Sequence, residues 1–104
     1  MSYKNITVAE LQPLLDSGKI KLVDVRTEAE IAHGYIKGAM KLPLHLLPVR
    51  IPDMDKTFPT VFYCQMGGRS AQAAAFADNQ GMTDVYNLQG GITAWAQSGG
   101  EVTT

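Results

Sequence analysis

Hydrophobic positions fall in short blocks separated by Gly, Pro and charged residues, and the blocks are of two kinds. Ile20-Lys21-Leu22-Val23-Asp24-Val25 is apolar, β-branched and free of breakers, which predicts a buried strand. Thr60-Val61-Phe62-Tyr63 predicts another, Asp84 to Leu88 a last one, and Ala39 to Leu42 a shorter one. Helix signals lie between them. Thr7 with Glu10 and Thr27 with Glu30 are capping-box pairs. The first opens a helix through about Leu15, with Gly18 at its stop, and the second a short helix ending before Gly34. Pro13 argues against a regular first helix, because it removes one backbone donor. Leu44 to Ile51 reads as helical with an interruption at Pro48. The Ala-rich run from Ser70 to Gln80 predicts a helix that stops at Gly81. Gly90-Gly91 turns into a helix carrying Trp95 and ending at Gly99-Gly100, and the tail from Gly99 to Thr104 reads as loose. Strands separated by helices predict an α/β fold, a mainly parallel sheet covered on both faces.

Length and composition narrow the class. A chain of 104 residues, 45% hydrophobic and 18% charged, predicts one domain spanning residues 1–104 with a single modest core. A formal net charge of -1, without any run of Lys or Arg, leaves no electrostatic footprint for nucleic acid or an anionic membrane. Met1 to Ile20 has a polar or charged residue every few positions, so it reads as neither signal peptide nor membrane span, and the cytoplasm is the default compartment. A monomer is the default oligomeric state.

One cysteine, Cys64, excludes an internal disulfide and a multi-cysteine metal site, so its chemistry is that of a single thiol. With only two histidines and no short ligand spacing, the chain holds no recognisable metal set and implies no cofactor. Cys64 stands at the C-terminal end of the Thr60–Tyr63 strand, where open α/β sheets bind ligands. The next residues are Gln65-Met66-Gly67-Gly68-Arg69-Ser70. Two consecutive glycines let successive N–H groups curl toward one point, a helix starting near Ser70 adds its positive end, and Arg69 adds a full charge. All three favour thiolate over thiol, so the expectation is a reactive, accessible thiolate rather than a small buried hydrophobe. Neither His33 nor His45 is tied by spacing to Cys64, and both read as surface or core residues. A thiolate displacing a sulfur leaving group needs no general base, whereas peptide hydrolysis needs an acid for the amine. The pattern therefore points away from a cysteine protease.

Three motifs in order connect these residues to a known family. Leu22-Val23-Asp24-Val25-Arg26, then Glu30, then Gly34-Tyr35-Ile36-Lys37-Gly38-Ala39 resembles the first signature of the rhodanese-like, or sulfurtransferase, domain. Cys64 through Ser70 resembles its active-site loop, and Gly90-Gly91-Ile92-Thr93-Ala94-Trp95 with Gly99 its closing motif. Tyr35, where many members have His, and Ile92, where an aromatic is common, depart from the pattern at what read as packing positions. The resemblance implies a three-layer α/β/α fold around a five-stranded, mainly parallel sheet. It implies that Cys64 takes a sulfane sulfur from a donor, holds it as a persulfide, and passes it to a thiophilic acceptor such as cyanide or a thiol. The partners are then a small-molecule sulfur donor and a thiol or protein acceptor, with the N–H groups of Gln65 through Ser70 cradling the outer sulfur.

Four residues separate Cys64 from Arg69, one fewer than in the phosphatase branch of the same fold, which favours a sulfur atom over a phosphate. Gln65 and Met66 are uncharged, so weak thiosulfate activity and a better persulfide donor are expected. Asp24, Arg26 and Glu30 read as a helix cap plus an ion pair, and Trp95 as core. Two other classes stay open: a non-catalytic regulatory or binding module on this fold, and a phosphatase or arsenate reductase using the same cup.

Overall fold

A computed structural model describes residues 3–104. Five strands, β1 (Lys4–Ile6), β2 (Lys21–Asp24), β3 (Met40–Lys41), β4 (Thr60–Tyr63) and β5 (Val85–Leu88), form one sheet in the order β1-β5-β4-β2-β3. Every ladder is parallel. The helices are α1 (Val8–Ser17), α2 (Glu28–Ala32), α3 (Leu47–Arg50), α4 (Gly68–Asn79) and α5 (Gly91–Gln97).

Alternation along the strands divides the apolar residues between two faces. Val23, Val25, Phe62, Cys64 and Val85 join Leu47 of α3 and Ala73, Ala74 and Ala77 of α4 on one side. Leu22, Val61, Tyr63 and Leu88 join Leu11 of α1 and Ile92 and Trp95 of α5 on the other. These are the three layers expected. All four residues of β4 are buried, and each large apolar side chain so covered contributes about 1.5–3 kcal/mol. After β2 the chain moves outward to β3, and after β4 it moves the other way to β5. The crevice between the C-terminal ends of β2 and β4 is therefore the switch point at which this architecture binds ligands.

Both capping boxes form as predicted, at Thr7 with Glu10 and at Thr27 with Glu30. Gly18 ends α1 in the left-handed conformation, φ 70°. Several expectations need correction. Pro13 lies inside a continuous ten-residue α1, because it sits on the exposed side of the helix and the carbonyl it frees, that of Ala9, is at an exposed residue open to water. The Leu44–Ile51 piece is a 3-10 turn, the four-residue α3, and a second 3-10 turn. The α4 helix starts two residues before Ser70, at Gly68. Strand β1 escapes the hydrophobic pattern, since only Ile6 of its three residues is buried. The tail is anchored rather than loose. Tyr35 and Thr103 exchange backbone hydrogen bonds of 2.8 and 2.9 Å, and the Trp95 indole N–H donates to the Glu101 carbonyl at 2.8 Å. Trp95 itself is buried in the core, as expected. No helix among the described residues is long and apolar enough to cross a membrane.

Candidate functional site

Cys64 follows β4 at the floor of the crevice, and the chain behind it curls into a cup. The curl depends on Gly67, whose φ of 114° is open only to glycine, and α4 begins at the next residue. Gly68 has an ordinary helical backbone, and a Cβ there would meet nothing within 4 Å. The glycine pair is thus one conformational requirement and one free position, not two requirements.

The Cys64 Sγ accepts from the Gly67 N–H at 3.1 Å and lies 3.3 Å from the Ser70 hydroxyl. Burial pushes the thiol up, but the Ser70 hydroxyl and the backbone N–H groups of Ser70, Gly67 and Met66 outweigh it, and the thiol titrates below its usual range. The donors facing Sγ thus all belong to the Gln65–Ser70 loop. At 2% exposure the residue is far less accessible than expected, because its side chain faces the α4 side of the sheet among Val25, Phe62 and Ala73. A reactant must reach the sulfur through the mouth of the cup.

The loop is held from behind by the second glycine pair. Gly91, φ 59°, brings the first turn of α5 against the loop so closely that a Cβ would lie 2.5 Å from the carbonyl oxygens of both Cys64 and Gln65. The N–H groups of Ile92 and Thr93 donate to those two carbonyls at 3.0 and 3.1 Å. With its carbonyls turned toward α5, the loop is free to turn N–H groups toward the sulfur.

Arg69 does not supply an unopposed charge. Its guanidinium makes a bidentate pair with Glu30, at 2.6 and 2.8 Å, which corrects the expectation of a full positive charge acting on the sulfur. That pair holds the Glu30 carboxyl down at about 2. Glu30 thus forms the helix cap the sequence suggested, and its pair with Arg69, which the sequence did not suggest, ties α2 to α4. Arg26 and Asp24 form a buried pair at 2.7 Å, with Arg26 also donating to the Gly34 carbonyl at 2.6 Å and to Gln65 Oε1 at 3.3 Å. Gln65 Nε2 in turn donates to Thr93 Oγ1 at 3.1 Å, so the exposed Gln65 side chain spans the rim from β2 to α5. Met66, 70% exposed, forms the outer lip. Of the two departures from the motifs, Ile92 is core, while Tyr35 is half-buried with the Lys41 ammonium 4.1 Å from its ring centroid.

Beside the rim lies a cavity of about 480 Å³ whose wall includes Arg26, Glu30, His33, Gln65, Thr93 and Val102. The position of His33 there, and of Val102 from the tail, could not be read from spacing. The buried Asn87 was also missed; its one sequence signal is an amide inside an otherwise apolar strand. His45 is exposed, as the sequence allowed.

The rhodanese-like domain family model matches residues 7–98. A sulfurtransferase of Allochromatium vinosum is 49% identical over 88 residues, covering 85% of this chain and 82% of that protein. The thiosulfate sulfurtransferase GlpE of Stutzerimonas stutzeri is 34% identical, with 89% and 84% covered. The human single-domain sulfurtransferase TSTD1 superposes with a TM-score of 0.86 at 31% identity, covering 89% of this chain and 95% of that one. A strand-end cysteine in a cup of N–H groups, on a sheet of this order, in a chain matched over nearly its whole length, places the protein in the rhodanese-like domain family.

Proposed function

We propose that the protein is a sulfurtransferase in which Cys64 carries sulfur between an external donor and an external acceptor. The observation that carries this reading is the sulfur's environment: a strand-end cysteine whose Sγ has the Gly67 N–H at 3.1 Å and the Ser70 hydroxyl at 3.3 Å. In the first step the Cys64 thiolate attacks the sulfane sulfur of the donor, forming a new S–S bond. The old bond to that sulfur breaks, and its electron pair leaves with sulfite from thiosulfate or with a thiolate from a persulfide. In the second step a thiolate or cyanide attacks the outer sulfur, and the electron pair returns to Cys64. Both leaving groups are good, so neither step requires a general acid. The N–H groups of the Gln65–Ser70 loop stabilise the negative charge of the outer sulfur, as fixed dipoles do in an oxyanion hole.

The rim selects the donor. Gln65 and Met66 are neutral, Arg69 is spent on Glu30, and Arg26 on Asp24, so no unpaired cation on the loop awaits a sulfonate. A persulfide, with a protein or low-molecular-weight thiol behind it, fits this rim better than thiosulfate. The same four-residue spacing to Arg69 disfavours phosphate. A monomer with the cytoplasm as its compartment and no cofactor completes the reading.

The test is the mass of the Cys64 peptide after incubation with a donor. One added sulfur is expected, lost on treatment with cyanide or a thiol, and absent in Cys64→Ser together with turnover. Persulfide donors should give higher kcat/KM than thiosulfate. No adduct from any donor, or hydrolysis of an aryl phosphate that is abolished by Cys64→Ser, would overturn the proposal.

A further inference from the structure

Asn87 is a buried polar side chain that the transfer steps leave unused. Its Oδ1 accepts from Ser70 Oγ at 2.5 Å, and its Nδ2 donates to Asn5 Oδ1 at 3.0 Å. Ser70 and Asn87 are buried, whereas Asn5 lies exposed on the edge strand β1. Asn5 and Asn87 are register partners in the parallel pair β1–β5, so their side chains leave the same face of the sheet, the face that α4 covers. A hydrogen-bonded chain therefore runs from the surface, through β5, to the hydroxyl beside the nucleophile.

Ser70 Oγ bears one hydrogen but has two acceptors in reach, Asn87 Oδ1 at 2.5 Å and Cys64 Sγ at 3.3 Å. It serves one at a time. A carboxamide presents an acceptor at one end and donors at the other, and a half-turn exchanges them without changing its shape. The chain thus has two polarities. In one, Ser70 donates to Asn87 and Asn87 to Asn5, and the sulfur receives nothing from the hydroxyl. In the other, Asn5 donates to Asn87, Asn87 donates to Ser70, and the Ser70 hydrogen goes to the sulfur.

We propose that Asn87, backed by Asn5, is a positioning residue that matches the hydrogen bonding of Ser70 to the charge on Cys64 by reversing this chain. The proposal deepens the sulfurtransferase reading, in which that charge alternates. The free thiolate is an anion and holds the hydroxyl hydrogen. Once the outer sulfur is attached, Sγ is an uncharged bridging sulfur and the charge sits one atom farther out, so the hydroxyl turns back to Asn87. When an acceptor removes the outer sulfur, the electron pair of the S–S bond returns to Sγ, and the chain reverses to receive it. Asn87 acts through Ser70 and touches no reactant.

Thiolate absorbance against pH, with Cys64→Ala subtracted, and the pH profile of iodoacetamide alkylation read the charge directly, whether or not sulfur is ever transferred. Asn5→Asp offers only acceptors at the surface end. It holds the Asn87 Nδ2 outward and the Ser70 hydrogen away from sulfur, and should raise the titration midpoint by about one unit, or slow alkylation below it about tenfold. In a Ser70→Ala background the same substitution should move nothing. Within β5, Asn87→Asp should raise the midpoint, whereas Asn87→Leu, which leaves Ser70 no acceptor but the sulfur, should hold or lower it. A shift from Asn5→Asp that persists in Ser70→Ala would make it plain surface charge and overturn the proposal, as would no shift at all. Asn87→Asp and Asn87→Leu moving the midpoint the same way would reduce Asn87 to packing. If the Asn87 variants do not fold, the Asn5→Asp pair alone decides. Normal midpoint shifts in a protein that takes up no sulfur would leave the chain standing and defeat only the functional reading.

Discussion

The protein contains two strand–Gly-Gly–helix turns side by side, Gly67-Gly68 after β4 and Gly90-Gly91 after β5, and they do opposite work. The first aims backbone N–H groups at a sulfur. The second aims them at the carbonyls of the first. In the first pair only Gly67 has a backbone that demands glycine, and a Cβ there would find its nearest neighbours at 3.6 Å. In the second, both residues lie in the left-handed region, and a Cβ would meet Ala94 Cβ at 2.6 Å at one position and two carbonyl oxygens at 2.5 Å at the other. The turn that holds the cysteine is the looser one, and the turn that supports it is the tighter. A reactive loop needs room for a visiting atom, and its shape is therefore imposed from outside.

Substitutions at three of these glycines and at the Arg69–Glu30 tie put this contrast to the test. Gly91→Ala should be the most damaging. Backbone cannot yield to a contact of 2.5 Å without separating α5 from the loop, so both melting temperature and sulfur uptake should fall sharply, the latter at least as far as in any loop variant short of Cys64 itself. Gly67→Ala should behave differently, with the strained backbone costing about 1–3 kcal/mol of stability by denaturant melts. Its larger consequence is a rise in the Cys64 titration midpoint as the N–H cup opens. A Gly67→Ala protein that alkylates with the native pH profile would contradict the division of labour.

Smaller effects belong to the Glu30–Arg69 tie. Glu30 titrates at about 2, well below the 4.5 of a free glutamate, because it is paired with Arg69. Its folded value is depressed, so its contribution is complete above about pH 4.5 and is lost as pH falls toward 2. Melting temperature measured across that window should therefore fall less steeply in Glu30→Gln than in the parent, with the two converging at the acid end. Because the pair is about one-third exposed, the difference should shrink in high salt. Least of all is expected of Gly68→Ala, which meets open space on a helical backbone. It should gain about 0.5–1 kcal/mol from the lost flexibility of glycine, with the Cys64 midpoint unchanged.

What could be read from the sequence was whatever is encoded locally. The capping boxes at Thr7 and Thr27, the stop at Gly18 and the buried run of β4 each lie within a few residues of their partners, and each appears in the fold. So does the placement of Cys64 at a strand end. Long-range relations were out of reach. Ile92 lies 28 residues from Cys64, yet its N–H shapes the loop, and no period or spacing announces it. The neutralisation of Arg69 depends on Glu30, 39 residues away, although Glu30 had already been read as a cap. Strand β1 is too short and too exposed for a hydrophobic pattern, and it is recognisable only from its neighbour β5. Even the assignment of Gly67 over Gly68 as the strained position required the start of α4 to be known to the residue.

The pairing of β1 with β5 has a consequence for how the protein comes into being. It joins residues 4–6 to residues 86–88, and Asn5 meets Asn87 across 82 positions of chain. A loop of that span is among the last that a folding chain closes, since its entropy must be spent before its contacts repay it. On the ribosome the strand that carries Asn5 emerges first and waits unpaired until β5 follows. The cysteine, its glycines and α4 are all made before that moment, so a nascent chain can hold its cysteine and α4 while lacking the far end of the hydrogen-bonded chain behind them. That hydrogen-bonded chain is therefore completed late in folding, and fraying of one short edge strand is enough to open its outer end.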